Sequence, residues 1–166
     1  AWFAERAATF FNTPESFLKT GNSFYEAYTF AMDAQKQNTM AEKAREYLGK
    51  AVEANPKNLE AKAKMGLTYF SSNPPRGVAI LREVIAEDPK NEFALFNMGM
   101  LSIQSGQNAK AIDWMKQLIE VNPKHIQGQM LLGVAYLNDG QKKEARARFE
   151  KVKKMDNDAA VQARVD

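Results

Sequence analysis

The chain has 166 residues, 45% hydrophobic and 26% charged, with a formal net charge of +3. Such a composition suits one ordinary domain or a short array of repeats, and it excludes a disordered tail or a collagen-like fibre. There is no cysteine and one histidine, His125, which excludes disulfide scaffolds, zinc fingers, iron–sulfur centres and thiol catalysis.

No run of about 18 apolar residues occurs, so no segment reads as a membrane-spanning helix. The sequence opens on Ala1 rather than methionine, so its natural start is expected to be missing. An upstream signal or anchor stays open, and with it a cytoplasmic or an exported or membrane-anchored location. At the front, Trp2–Phe11 and Pro14–Thr20 are expected to be two short helices, with Thr13 as cap and Pro14 in the first turn. Trp2, Phe3, Phe10, Phe11, Phe17, Phe24, Tyr25, Tyr28 and Phe30 crowd this region, too apolar a load for a linker. The segment therefore packs on the helices downstream or meets a partner. Apolar periodicity then predicts antiparallel helix pairs at 23–37/40–54, 59–72/76–87, 92–105/108–121 and 126–138/142–155, with no strand. The tail from 158 starts like a further helix, with Asp158 as its N-cap.

The pairs repeat one another. Asn55-Pro56-Lys57-Asn58, Asp88-Pro89-Lys90-Asn91 and Asn122-Pro123-Lys124-His125 place their prolines 33 and 34 residues apart. Ten residues after each proline stands a glycine in an apolar pattern: Gly66, Gly99 and Gly133. Ser71–Pro75, Ser105-Gly106-Gln107 and Asp139-Gly140-Gln141 mark the tight turns between helices, and in the second and third of these glycine supplies a left-handed helix end.

This pattern resembles the tetratricopeptide repeat (TPR) family, whose unit has a glycine in its first helix, an alanine early in its second and a proline at its end. The second clear unit matches with Leu95, Met98, Gly99, Gly106, Ala111, Met115, Leu118 and Pro123. The third matches with Leu132, Gly133, Tyr136, Gly140, Ala145, Phe149 and Val152, with Asn157 in place of proline. The first, with Met65, Gly66, Tyr69, Leu81, Val84 and Pro89, departs at Lys62, at Gly77 and by one residue deleted at Pro74-Pro75. Upstream, a degenerate unit carries Ala44, Leu48, Ala51 and Pro56 but lacks the glycine, with Met32 near that place. The resemblance implies an all-α fold, a right-handed superhelix of antiparallel helix pairs. Its expected divisions are an aromatic N-terminal helical segment 1–22, a degenerate repeat 23–58, repeats 59–91, 92–125 and 126–157, and the start of a capping helix at 158–166.

Little in the sequence carries chemistry. His125 stands where sister units have Asn58 and Asn91, which marks it as a turn residue or helix cap. No phosphate-binding glycine loop follows a strand, and Asp113, Glu120 and Glu144 are scattered over helix surfaces. No catalysis, metal or cofactor is expected.

The first helices carry a second apolar stripe beside the one that serves the neighbouring repeat. Leu67 and Phe70 (with Ala63), then Phe93, Phe96, Met100 and Ile103, then Met130, Val134 and Leu137 fall at spacings of three, four and seven. By resemblance this side lines a concave groove, and each large side chain left wet would forgo about 1.5–3 kcal/mol of burial. The groove is expected to hold an apolar peptide or amphipathic helix, making the chain a protein–protein scaffold or adaptor. Alternatively it is a self-assembling module whose groove is filled by its own N-terminal segment or by a sister chain in a homo-oligomer. The carboxylate clamp of chaperone-binding relatives is not matched: Asn97 fits one place, but Ala63, Leu67, Gln127 and Leu131 occupy others. Finally, the last helix gathers seven cations against Glu144 and Glu150, with Lys142, Lys143, Arg146, Lys153 and Lys154 in one sector. That sector is either a solvated face or a patch for an anionic partner, nucleic acid being disfavoured by the lack of interleaved aromatics.

Overall fold

A computed structural model describes residues 2–155, and side chains from Glu5 onward except Ala7. Among these residues it forms nine helices and no strand: α1 (Trp2–Phe11), α2 (Pro14–Phe30), α3 (Ala34–Ala54), α4 (Leu59–Leu67), α5 (Pro74–Glu87), α6 (Glu92–Gln104), α7 (Asn108–Val121), α8 (Ile126–Asn138) and α9 (Lys142–Met155). The expected capping helix at 158–166 lies outside the described residues.

Local chemistry sets the breaks. Thr13 and Ser16 cap α2 reciprocally, each side-chain oxygen accepting the other's backbone N–H, with Pro14 in the first turn. Asn58, Asn91 and His125 cap α4, α6 and α8 alike, each accepting an N–H three residues on at 3.0 Å. Gly106 and Gly140, at φ 72° and 81°, turn α6 into α7 and α8 into α9.

The front of the chain differs from the sequence expectation. Pro14–Thr20 is not a separate short helix; α2 runs on to Phe30, and the break expected near 38 falls at Ala31–Asp33 instead. Asp33 starts α3 by accepting from Lys36 N–H at 2.8 Å. Met32 is not the counterpart of the repeat glycine, for it stands exposed in this connection. The counterpart is Gly21, buried in mid-helix against Leu48. The second difference is α4, which ends at Leu67 rather than 72. Arg45 donates to the Thr68 carbonyl at 2.6 Å and Tyr28 to that of Leu67 at 3.4 Å, satisfying the carbonyls of this early end. The shortened turn before Pro74 then brings Gly77 so close to Gly66 that a Cβ would stand 2.7 Å from the Gly66 carbonyl oxygen. That accounts for glycine where the family has alanine. Lys62, the remaining departure, reaches Glu87 at 2.5 Å and Glu83 at 3.3 Å, tying α4 to α5 by charge where the next unit has the buried Leu95.

Helices pack into two compact units, Ala1–Pro89 and Lys90–Asp166. In the first, α1 packs on α2, α2 on α3, α3 on α4 and α4 on α5, and α2 also touches α4. Its core joins Ala8, Phe24, Ala44, Tyr47, Leu48 and Ala61, with Phe17 and Tyr25 packed against them. Part of the front aromatic load is thus structural, whereas Phe10, Phe11 and Phe30 remain exposed. In the second unit, α6–α7, α7–α8 and α8–α9 pack in series and α6 touches α8, over fully buried Leu95, Met115, Leu118, Leu132 and Val152.

Two measurements test this packing. A Cβ on Gly21 would lie 2.8 Å from the Leu48 backbone nitrogen, whereas one on Gly99 would meet only the flexible Met115 side chain. Gly21→Ala should therefore destabilise by about 1–3 kcal/mol through overpacking, even against the ~0.5–1 kcal/mol that alanine gains in a helix. Gly99→Ala should cost less than Gly21→Ala, because the nearest atom it meets is the flexible end of Met115 rather than backbone. Urea midpoints followed by helix content decide it; a stable Gly21→Ala would mean that α2 and α3 do not cross closely. The second measurement concerns Tyr25, whose phenol burial, and secondarily Tyr28, push up from 10.0 to about 12. The unfolded chain ionises first, so this stability is whole below pH 10.0 and is lost as pH rises toward about 12. Tyr25→Phe should hold its fold further into alkali than the wild type; an identical alkaline unfolding curve would contradict the burial.

Candidate protein-interaction face

Within the second unit, two neighbouring helices each use one side for packing and leave another side partly open. On α6, Ala94, Leu95, Met98, Gly99 and Ser102 are buried, whereas Phe93, Phe96, Met100 and Ile103 are half-buried. On α8, Leu132, Gly133, Ala135 and Tyr136 are buried, Met130 and Val134 are half-buried, and Leu137 is 49% exposed. Since α6 touches α8, the unit carries two adjacent apolar stripes. Seven of the nine residues proposed from sequence for the groove lie here.

The other two belong to the first unit and are committed to its packing. Leu67 is buried, at 7% exposure, so it is a core residue. Phe70 is half-buried, its ring edge beside Gly77. On α2 the positions in register with Met100 and Ile103, one and four residues past the contact glycine, are the polar Asn22 and the aromatic Tyr25. Lys64 donates to Asn22 at 3.1 Å and to Glu60 at 2.6 Å, and its ammonium stands 5.9 Å from the Tyr25 ring. Tyr69 is held between Arg45 and Arg76, whose guanidinium carbons lie 4.9 Å and 4.5 Å from its ring centre. Sequence reasoning missed this cluster because it placed no helix boundary at Asp33 and so could not align Asn22 and Tyr25 with the later units.

Phe96 needs a correction. Its ring stacks on His125, centroids 5.4 Å apart, so it reaches the turn between repeats and is not free of inter-repeat packing. Asn97, the one residue suited to a carboxylate clamp, is buried and donates to the Phe93 carbonyl of its own helix at 2.7 Å. A buried Gln129, unremarked in the sequence, donates to the Pro123 carbonyl and accepts from Arg148, tying the turn to α9.

On α9, Lys142, Lys143, Arg146 and Lys154 are exposed and Lys153 is half-buried. Among the described residues no ion pair engages Lys142, Lys143 or Arg146, and no group of three metal-ligating side chains is assembled. Nor is any described helix long and apolar enough to cross a membrane.

Comparison with known proteins gives this arrangement its kin. Two family models, each described as tetratricopeptide repeat, match residues 71–133 and 127–156, together just over half of the chain. Photosystem I assembly protein Ycf3 of Acaryochloris marina (strain MBIC 11017) is 30% identical over 106 residues, 57% of this chain and 64% of that protein. The match thus spans less than two thirds of that relative's length. Two crystal structures of MamA superpose with TM-scores of 0.73 and 0.72 at 22% identity, each covering 92% of this chain, and 84% and 78% of theirs. MamA 41-end from Desulfovibrio magneticus RS-1 gives 0.63 at 20% identity over 80% of this chain and 76% of that one. At such identities the likeness is one of fold. The chain belongs to the tetratricopeptide repeat family, whose helix-pair repeats serve protein–protein interaction and are generally without catalysis.

Proposed function

We propose that this protein is a non-catalytic scaffold that holds an apolar peptide or an amphipathic helix against the α6–α8 face. The observation that carries the reading is the double use of α6 and α8. Each is apolar on two sides, and only one side is buried in its unit. Met100, Ile103, Met130, Val134 and Leu137 would make the main contacts, with the two methionines able to mould to different apolar surfaces. Phe93 and Phe96 border them. In this reading the repeats are 59–91, 92–125 and 126–157, and the degenerate unit is better drawn from Pro14, where α2 begins, with α1 added in front. Ycf3 is named an assembly protein; holding an apolar segment of an unassembled subunit is one task that such a face suits.

A second reading has its own support. Phe10 and Phe11, stacked edge to face at 5.1 Å and 83% and 63% exposed, offer apolar side chains from the N-terminal helix. Seated on a sister chain's α6–α8 face they would make the protein a self-assembling module.

Peptides selected from a displayed random library on the immobilised chain should share an apolar stripe at helical or alternating spacing. Met100→Gln combined with Ile103→Gln should weaken the selected peptides at least ~10-fold with helix content unchanged. Selection of no apolar peptide, or binding indifferent to the double variant, would refute the face. A dimeric mass in solution that Phe10→Gln with Phe11→Gln converts to a monomer would favour the second reading.

A further inference from the structure

The α8–α9 end of the second unit holds a recess of about 360 Å³, and it joins two features that the sequence kept apart. Leu137, an exposed member of the apolar stripe, and Phe149 form its apolar wall. Lys142, Arg146 and Lys153 stand around it, with Glu150 as the one carboxylate. We propose that this recess binds an acidic amphipathic peptide segment, seating one large aliphatic side chain against Leu137 and Phe149 while neighbouring carboxylates meet Lys142 and Arg146.

Three observations choose this occupant. The first is charge. Lys142 and Lys143 occupy the first turn of α9, two cations beside its single carboxylate Glu144, at a helix end whose dipole favours carboxylates. No ion pair among the described residues compensates them, so their field is directed at an anion from outside. The second is shape: a recess beside a half-exposed leucine receives a side chain, whereas a lipid surface would press on a convex apolar patch. The third is the state of Phe149. Its ring edge lies where a Cβ on Gly133 would stand, 2.5 Å away. The ring is therefore engaged with α8 and is no platform for nucleobase stacking. Only Leu137 is common to this recess and the α6–α8 face, so the two stand or fall separately.

The test uses the whole chain and a fluorescein-labelled helical peptide with leucines on one face and glutamates on the other. Anisotropy should report binding that weakens more than ~10-fold as salt rises past physiological strength, where screening acts over about 8 Å. Lys142→Glu with Arg146→Glu should remove it, and both positions are exposed, so helix content should hold. Leu137→Gln should weaken it, whereas Met100→Gln with Ile103→Gln should leave it unchanged. Several results would overturn the proposal. These are equal binding of a scrambled peptide of the same composition, indifference to the charge reversal, or sedimentation with phosphatidylserine–phosphatidylcholine vesicles without peptide binding.

Discussion

The architecture depends on helices crossing where there is no side chain to hold them apart. Gly21 against Leu48, Gly66 against Ile80, Gly99 against Met115 and Gly133 against Phe149 are four versions of one contact. A glycine in mid-helix weakens that helix by roughly 0.5–1 kcal/mol relative to alanine. The close approach offsets this by letting a large side chain from the partner helix fill the groove and lose its water. Once these crossings are made, each first helix has spent one side on its own hairpin. The remaining side must be covered by something else, and from that requirement the candidate sites arise.

The two units answer it with different chemistry. In the first, the remaining side is covered from within: Tyr28 and Arg45 satisfy the carbonyls at the end of α4, Lys64 bridges Asn22 and Glu60, and Tyr69 lies between two guanidiniums. Polar groups that already hold one another have little to offer a ligand. In the second, the side left partly open carries Phe93, Phe96, Met100, Ile103, Met130 and Val134, all half-buried and without hydrogen-bonding N or O atoms in their side chains. Dispersion and dehydration are then the forces available, and both reward an apolar visitor of loosely specified shape.

Legibility in the sequence divides along the same line. From Asn91 onward the helices and turns can be read directly, because a proline, an Asn or His cap and a glycine recur in one phase and each has a single local meaning. Upstream the signals were ambiguous. Thr20-Gly21-Asn22 reads as a helix stop, yet Gly21 is a contact glycine inside a helix; only the position of Leu48 in space distinguishes the two uses. The end of α4 was misjudged for a related reason. Its helical periodicity continues through Phe70, but its carbonyls are claimed by Arg45 and Tyr28 from 23 and 39 residues away, which no local pattern registers. For the site, periodicity told which residues share a side of a helix. It could not tell that Leu67 is covered, or that Phe96 already has His125 as a neighbour.

The Phe96–His125 contact bears on how the apolar face keeps its shape. His125 uses Nδ1 to cap α8 through the Gly128 N–H, and its ring plane stacks on Phe96. Its sister residues Asn58 and Asn91 make the same cap with a side chain too small to stack. The imidazole therefore does two things at once: it starts α8 and fixes the ring at the edge of the α6 stripe. Gln129, one turn into α8, adds a second tie by bonding the Pro123 carbonyl on one side and Arg148 of α9 on the other. The start of α8 is thereby locked from both its neighbours. Its far end carries the half-exposed Leu137 and, just beyond, the first-turn lysines of α9. Rigidity at one end lowers the ordering entropy that a partner must overcome. Open apolar area and uncompensated charge at the other end supply what a partner would gain. The second unit thus places its fixed frame and its unsatisfied surface on the same two helices.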